Sequence, residues 1–213
     1  MPHRGPPLLV PTVPRGNPYL ALILYPGLHS HAGAWEREKD VETKVRVKEG
    51  NLMPIHFEDL DIASEVTGLK SALIVPCYMC PAVTVAVREE KPFIQLFKSF
   101  LKSDPFEQYI MEMQSRLKEQ GVATEVFKSR IPHQWFMCMW TRNQRNKLQE
   151  YANKYEAVIV LGCDSATETV EDVVKSGCKV IEGMKVTGIM NAQLKVSFTG
   201  KVSFEDCKIV PIS

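Results

Sequence analysis

The chain has 213 residues, with 26 Lys and Arg against 25 Asp and Glu, and six cysteines. This length fits one domain with a full core, or one domain plus a tail. The even charge balance excludes a global basic field of the kind that holds nucleic acid, and no apolar run approaches the ~20 residues that cross a bilayer.

Residues 1–52 read as a proline-rich, poorly ordered N-terminal segment. Pro2, Pro6, Pro7, Pro11, Pro14, Pro18 and Pro26 oppose a regular helix or a central strand. Tyr19 to Leu24 is apolar but short and bracketed by prolines, so no secretory signal is expected. Translated sequence upstream of a start at Met53 is one alternative, and an arm carrying His29, His31 and Trp35 is another. A reducing cytoplasm is the expected compartment. There, clustered cysteines mean metal or redox work more often than disulfides.

Residues 53–213 read as one α/β domain. Ile55 to Val66 is a lead-in, and Ser71 to Val75 is a continuous apolar run, the pattern of a strand buried on both faces of a parallel sheet. Pro81 suits a first helical turn, so a helix is predicted over Ala82 to Glu90, with Pro92 stopping it and a further helical piece over Phe93 to Leu101. Asp104-Pro105-Phe106-Glu107 starts the next helix, whose stripe is Phe106, Ile110, Met113 and Leu117. Gly121 ends it, and Val122 to Phe127 alternates like a strand. His133 to Trp140 is rich in large apolar residues and reads as core or as an exposed patch for a partner.

Thr141 to Gln144 is a capping pattern, followed by an inward stripe of Leu148, Tyr151, Ala152 and Tyr155. Val158 to Leu161 is the second strong strand. Ser165 to Glu168 reads as another capping box, with Val170, Val173 and Val174 inward and Gly177 closing the helix. Lys179 to Ile181 is a short strand, and Gly183 to Asn191 a Met-containing loop that lines a pocket or serves as a link. Leu194 to Phe198 and Val202 to Val210 form a hairpin turning at Thr199-Gly200. Strands alternating with helices predict a mostly parallel, doubly wound (Rossmann-like) sheet with a C-terminal β-hairpin.

The two strong strands match in layout, since each ends in a cysteine that runs into a helix start. They are Ser71 to Pro81, with Cys77 and Cys80, and Glu156 to Ser165, with Cys163. Ligands of parallel sheets sit just past such strand ends. Cys77 and Cys80 share the positive end of a helix dipole, which lowers a thiol pKa and favours the thiolate. One outcome is a dithiol exchanger, with Cys77 attacking, Cys80 resolving, and Ile131-Pro132 supplying an adjacent proline. Another is a metal or cluster site with Cys77, Cys80 and Cys163 as ligands, completed by Cys138, Cys207 or His133. A third is packing, because free cysteines are often small apolar fillers. Gly162, Asp164 and Ser165 form a strand-to-helix turn that could cradle an anion or nucleotide phosphate. No Ser/His/Asp or paired-carboxylate arrangement points to hydrolysis.

The spacing of Cys77, Cys80 and Cys163, the last within Val160-Leu-Gly-Cys163, resembles the zinc-binding small subunit, or C-terminal module, of bacterial methylenetetrahydrofolate reductases. The resemblance spans about Ser71 to Met184. Pro76 and Pro81 stand where that family has glycines, and only Cys207 stands where it has a terminal Cys-x-x-Cys. The resemblance implies a zinc or iron–sulfur cofactor at the strand ends. It also implies a role as accessory subunit, with a redox or one-carbon enzyme subunit as protein partner, while the charge balance and the shortness of the apolar runs point to neither nucleic acid nor membrane.

Overall fold

The computed structural model of the chain describes residues 49–99, 102–128 and 135–212. Its strands are β1 (Glu49–Leu52), β2 (Ile55–Asp59), β3 (Ser71–Pro76), β4 (Ile94–Gln95), β5 (Ala123–Val126), β6 (Ala157–Leu161), β7 (Lys179–Glu182), β8 (Met184–Val196) and β9 (Lys201–Pro211). Its helices are α1 (Ala63–Val66), α2 (Cys80–Arg88), α3 (Leu96–Ser99), α4 (Asp104–Glu119), α5 (Arg142–Ala152) and α6 (Asp164–Glu171), with a 3-10 turn at Met137–Met139.

The fold is α/β, and its four-stranded sheet, ordered β5-β3-β6-β7, is parallel throughout. Alternate residues of β3 and β6 serve two cores, as the two-residue period of a strand requires. Ala72, Ile74, Ala157 and Ile159 pack with α2 and α4 on one face. Leu73, Val75, Val158 and Val160 pack with Leu148 and Ala152 of α5 and Ala166 and Val170 of α6 on the other. The α4 stripe of Phe106, Ile110, Met113 and Leu117 is buried as its spacing predicts, and Gly121 ends that helix at φ +84°. Thr141 and Gln144 form the expected capping box at the start of α5.

The remaining five strands make a separate antiparallel sheet, ordered β1-β8-β9-β4 with β2 also on β8. The hairpin is therefore the spine of a second sheet. Its first strand runs back to Met184, through the segment read from sequence as a loop. Gly188 interrupts that strand's alternation. Gly188 is needed because a Cβ there would lie 2.6 Å from the Val210 carbonyl oxygen on β9. The piece expected as helix over Phe93 to Leu101 contains β4, which pairs with Val202 and Lys201, and then the single turn α3. Backbone pairing with β9 overrides local helix propensity there.

Helix α2 lies between the two sheets. Pro81 to Ala86 are buried without interruption, as expected of a helix with no solvent face. That burial explains why Val83 and Val85 tolerate a helical backbone. At its far end Arg88 Nη1 lies 2.9 Å from Asp59 Oδ2, and Tyr109 donates to Asp59 Oδ1 at 3.1 Å, tying β2 to α2 and α4.

Glu49–Leu52, on the tail side of the expected boundary at residue 52, pairs with Ala192–Lys195 of β8. Residues 1–48 lie outside the described residues. Deleting residues 1–52 is expected to lower stability by about 1–2 kcal/mol relative to deleting 1–48, since a few ladder hydrogen bonds at about 0.5–1.5 kcal/mol each are lost. Denaturant unfolding of the two truncations would read this. Equal midpoints would show that β1 contributes nothing.

Candidate functional site

The register of β3 against β6 builds the site. Pro76 lies opposite Leu161, so the two strands end together. Pro76 has no N–H, but the next residue continues the ladder: Cys77 N–H donates to the Leu161 carbonyl at 2.9 Å. Gly162 follows β6 directly. A Cβ there would lie 2.6 Å from Ala166 Cβ and 3.6 Å from Cys77 Cβ, so the glycine lets the turn after β3 and the first turn of α6 approach each other.

The Cys77 side chain is buried, and its thiol donates to the Trp135 carbonyl at 3.4 Å. Burial pushes this thiol up to about 12, outweighing the backbone N–H groups of Met137 and Met79 that favour the thiolate. This corrects the expectation of a lowered value. The helix begins at Cys80 with Met79 as its cap, so Cys77 precedes the dipole's positive end, and desolvation dominates. Cys80, the first residue of α2, is half-buried. Burial raises its thiol too, and the nearby Cys163 and Cys138 add to the shift.

Cys163 is the N-cap residue of α6, and its carbonyl accepts from the Ala166 and Thr167 N–H groups at 2.7 and 3.0 Å. Ser165 was expected to cap this helix but lies inside it, where its carbonyl accepts from Thr169 Oγ1 at 2.7 Å. Asp164 and Ser165 are exposed, and Asp164 already places a carboxylate in the first turn. An anion held by Gly162, Asp164 and Ser165 would meet that charge.

Cys138 arrives on the 3-10 turn. Met137 is fully buried against Leu73, Val75 and Phe127, anchoring the turn, while Cys138 itself is exposed. Its thiol is raised first by burial of part of the side chain and then by Cys163. The structure thus gathers Cys77, Cys80, Cys138 and Cys163 into one neighbourhood. The other two cysteines stand apart. Cys178 precedes β7 at the amino ends of the strands, with burial alone raising it, and Cys207 lies on β9 with Asp206 as its charged neighbour. His133 and Ile131-Pro132 lie outside the described residues. Among the described residues no three His, Cys, Asp or Glu side chains are arranged to hold a metal ion. Four neighbouring thiols suit a thiophilic ion in donor type, but their present side-chain positions do not converge on one point.

The segment from Trp135 to Trp140 is both core and surface. Met137 and Trp140 are buried, while Phe136 and Met139 are exposed. Trp135 lies tilted against Phe93, whose ring meets Phe204 of β9 edge-on. Phe97 is 85% exposed and Phe198 89% exposed, and both lie at the hairpin tip, where the Phe97 ring covers Gly200. Lys98 reaches Asp104 at 3.4 Å, which places this tip beside the start of α4. Tyr78, between the two motif cysteines, donates to Glu107 of that same turn at 2.9 Å. The cysteine neighbourhood and the exposed apolar side chains therefore share one end of the domain. Residue type alone signalled Cys138. No local pattern signals Tyr78, Glu107 or the Trp135 carbonyl. A cleft of about 340 Å3 lined by Asp59, Tyr109 and Arg116 involves the later turns of α4 and no cysteine.

Compared with family models, curated proteins and solved structures, the chain has no detectable match. Among the described residues no helix is long and apolar enough to cross a membrane.

The Cys77 thiol makes a prediction about alkaline pH. Its folded pKa lies above the ordinary value of 9.0, at about 12. The stability it contributes is full below pH 9 and lost as pH rises towards 12, because only the unfolded chain ionises in that window. Wild type is expected to lose up to about 1.4 kcal/mol per pH unit more than Cys77→Ala between those limits. Urea titrations of the metal-free proteins from pH 8 to 11 would measure the difference. Parallel curves would show that the thiol ionises freely in the folded state.

Proposed function

We propose that the chain is a metal-binding accessory subunit of a cytoplasmic redox or one-carbon enzyme complex, with zinc or an iron–sulfur cluster at the strand ends. Cys77, Cys80, Cys138 and Cys163 are the ligands in this reading. The observation that carries it is the arrival of four cysteines from three separate chain segments at the carboxyl ends of two adjacent parallel strands. The sheet order, with helices on both faces, further suggests a doubly wound, Rossmann-like arrangement. Connections from β3 and β6 then leave in opposite directions, and such switch points are where α/β sheets bind ligands.

Thiolate ligands favour zinc and iron–sulfur centres over hard cations. Metal uptake releases protons from the ligands, so affinity for this site rises with pH. Exposed Phe97, Phe136, Met139 and Phe198 at the same end of the domain support a partner-facing role.

The dithiol alternative is less favoured. Attack on a disulfide needs a thiolate on an accessible sulfur, whereas Cys77 is buried and its thiol pushed up to about 12. The non-catalytic anion-binding alternative faces the Asp164 carboxylate.

Elemental analysis of anaerobically purified protein tests the proposal. Zinc or iron is expected near one centre per chain. Cys77→Ser and Cys163→Ser should each remove most of it, and Cys178→Ser should leave it intact. Metal-free wild type would count against the proposal. Loss of disulfide reductase activity in Cys77→Ser, with Cys163→Ser unaffected in both metal content and turnover, would establish the dithiol alternative.

A further inference from the structure

We propose that β9 is a dimerisation edge, pairing antiparallel with β9 of a second copy of this chain about a two-fold axis between Asp206 and Cys207. This inference is independent of the metal-centre reading above.

The antiparallel sheet leaves one long edge open. Strand β9 has β8 along one side, and on the other side β4 pairs only with Lys201 and Val202. From Ser203 to Pro211 that second side has no strand partner among the described residues. Sheet edges are usually kept short, charged or covered, yet Ile209, Val210 and Ile212 are 45%, 51% and 54% exposed. Ile212 N–H donates to the Thr187 carbonyl at 3.1 Å. By the alternation of an antiparallel ladder, Val210 and Lys208 then also turn towards β8, and Ile209 turns its N–H and carbonyl outward. Pro211, with no N–H to leave unpaired, takes the other outward position. Near the start of the strand the Lys201 carbonyl accepts from Ser197 N–H at 2.8 Å, so Ser203 and Glu205 face β8 and Phe204 faces outward.

The bulge in β9 selects the partner and the register. Asn191 lies opposite Lys208 and Gln193 opposite Glu205, so β9 carries one residue more than β8 there, with Asp206 at φ 48°. Glu205 and Lys208 therefore share the solvent face, and Phe204 and Ile209 the core face, although each pair is separated by an odd number of residues. Self-pairing about the axis between Asp206 and Cys207 sets Phe204 opposite the partner's Ile209. Both have outward backbone groups, so they exchange two hydrogen bonds, and the two-fold repeats every contact. The same register sets Glu205 against the partner's Lys208. Lys208 has no ion pair of its own among the described residues, while Glu205 is held by Lys195 through Oε2 alone. A slip of one residue would put core-face side chains against solvent-face ones. A slip of two would keep the faces but set Glu205 against the partner's Val210, or Lys208 against the partner's Ser203. Self-complementary charge, outward backbone groups and matched faces thus coincide in one register, and the occupant they fit is a second copy of the same strand.

Sedimentation equilibrium of the full chain under reducing conditions tests this. Wild type is expected to approach twice the mass of one chain as concentration rises. Lys208→Glu and Glu205→Lys each set like charges across the axis twice, and each alone is expected to dissociate at least about tenfold more readily. An equimolar mixture of the two variants should recover the dimer, because every facing pair is then of opposite sign. Recovery on mixing also shows that both variants are folded. A wild type that keeps the mass of one chain at every concentration would overturn the proposal. So would a dimer that persists unweakened in both variants, which would place the interface elsewhere. Dissociation of both variants without recovery on mixing would overturn the register and its axis.

Discussion

The parallel pairing of β3 with β6, in a register that ends both strands together, is the constraint from which the rest of the structure follows. Parallel strands cannot be joined by a tight turn, so each must be followed by a crossover. Two crossovers leave from adjacent points here: the turn into α2 and the turn into α6. Pro76 opposite Leu161 fixes that adjacency to the residue. Had β6 slipped by two residues, the faces would still match, but Cys163 would sit a full strand repeat from Cys77. Gly162 enforces the close approach, since any side chain there would collide with Ala166.

A second constraint is the burial of α2 between two sheets. A helix covered all round cannot carry charge along its length, and Pro81 to Ala86 carry none. The antiparallel sheet built on β8 and β9 supplies the second cover through Phe57, Met184, Met190 and Ala192. Arg88, at the exposed last turn, makes the ion pair with Asp59 that closes the far end. The start of the same helix is the cysteine turn. The second sheet therefore acts on the candidate site indirectly, by clamping the helix that carries Cys80.

Two opposing effects act on the cysteines. A helix start favours thiolates, and removal from water favours thiols. Burial dominates at Cys77, Cys80 and Cys138, and at all three the neighbouring sulfurs add to it. Like charges held close in a low-dielectric site raise one another unless a cation lies among them. That is the condition in which a thiophilic ion gains most by replacing protons.

The amino-acid sequence by itself determined the parallel strands, the α4 stripe, the α5 capping box and the placement of Cys77 and Cys163 past strand ends. These are local matters of hydrophobic period, proline and glycine placement and side-chain caps within a few residues. Tertiary structure decided what local pattern does not encode. The Cys77 thiol is kept protonated by burial, and the carbonyl that it donates to belongs to Trp135, 58 residues away. Cys138 joins the neighbourhood only because Met137 anchors its turn against the far side of the sheet. The first half of β8 reads as a loop until β2 and β9 pair with it, since backbone partners leave no mark on a glycine-interrupted run. Tyr78 reads as an ordinary motif residue until α4 brings Glu107 to its phenol. In each case the deciding contact is distant in sequence, and the free energy that selects it belongs to packing between elements rather than to either element alone.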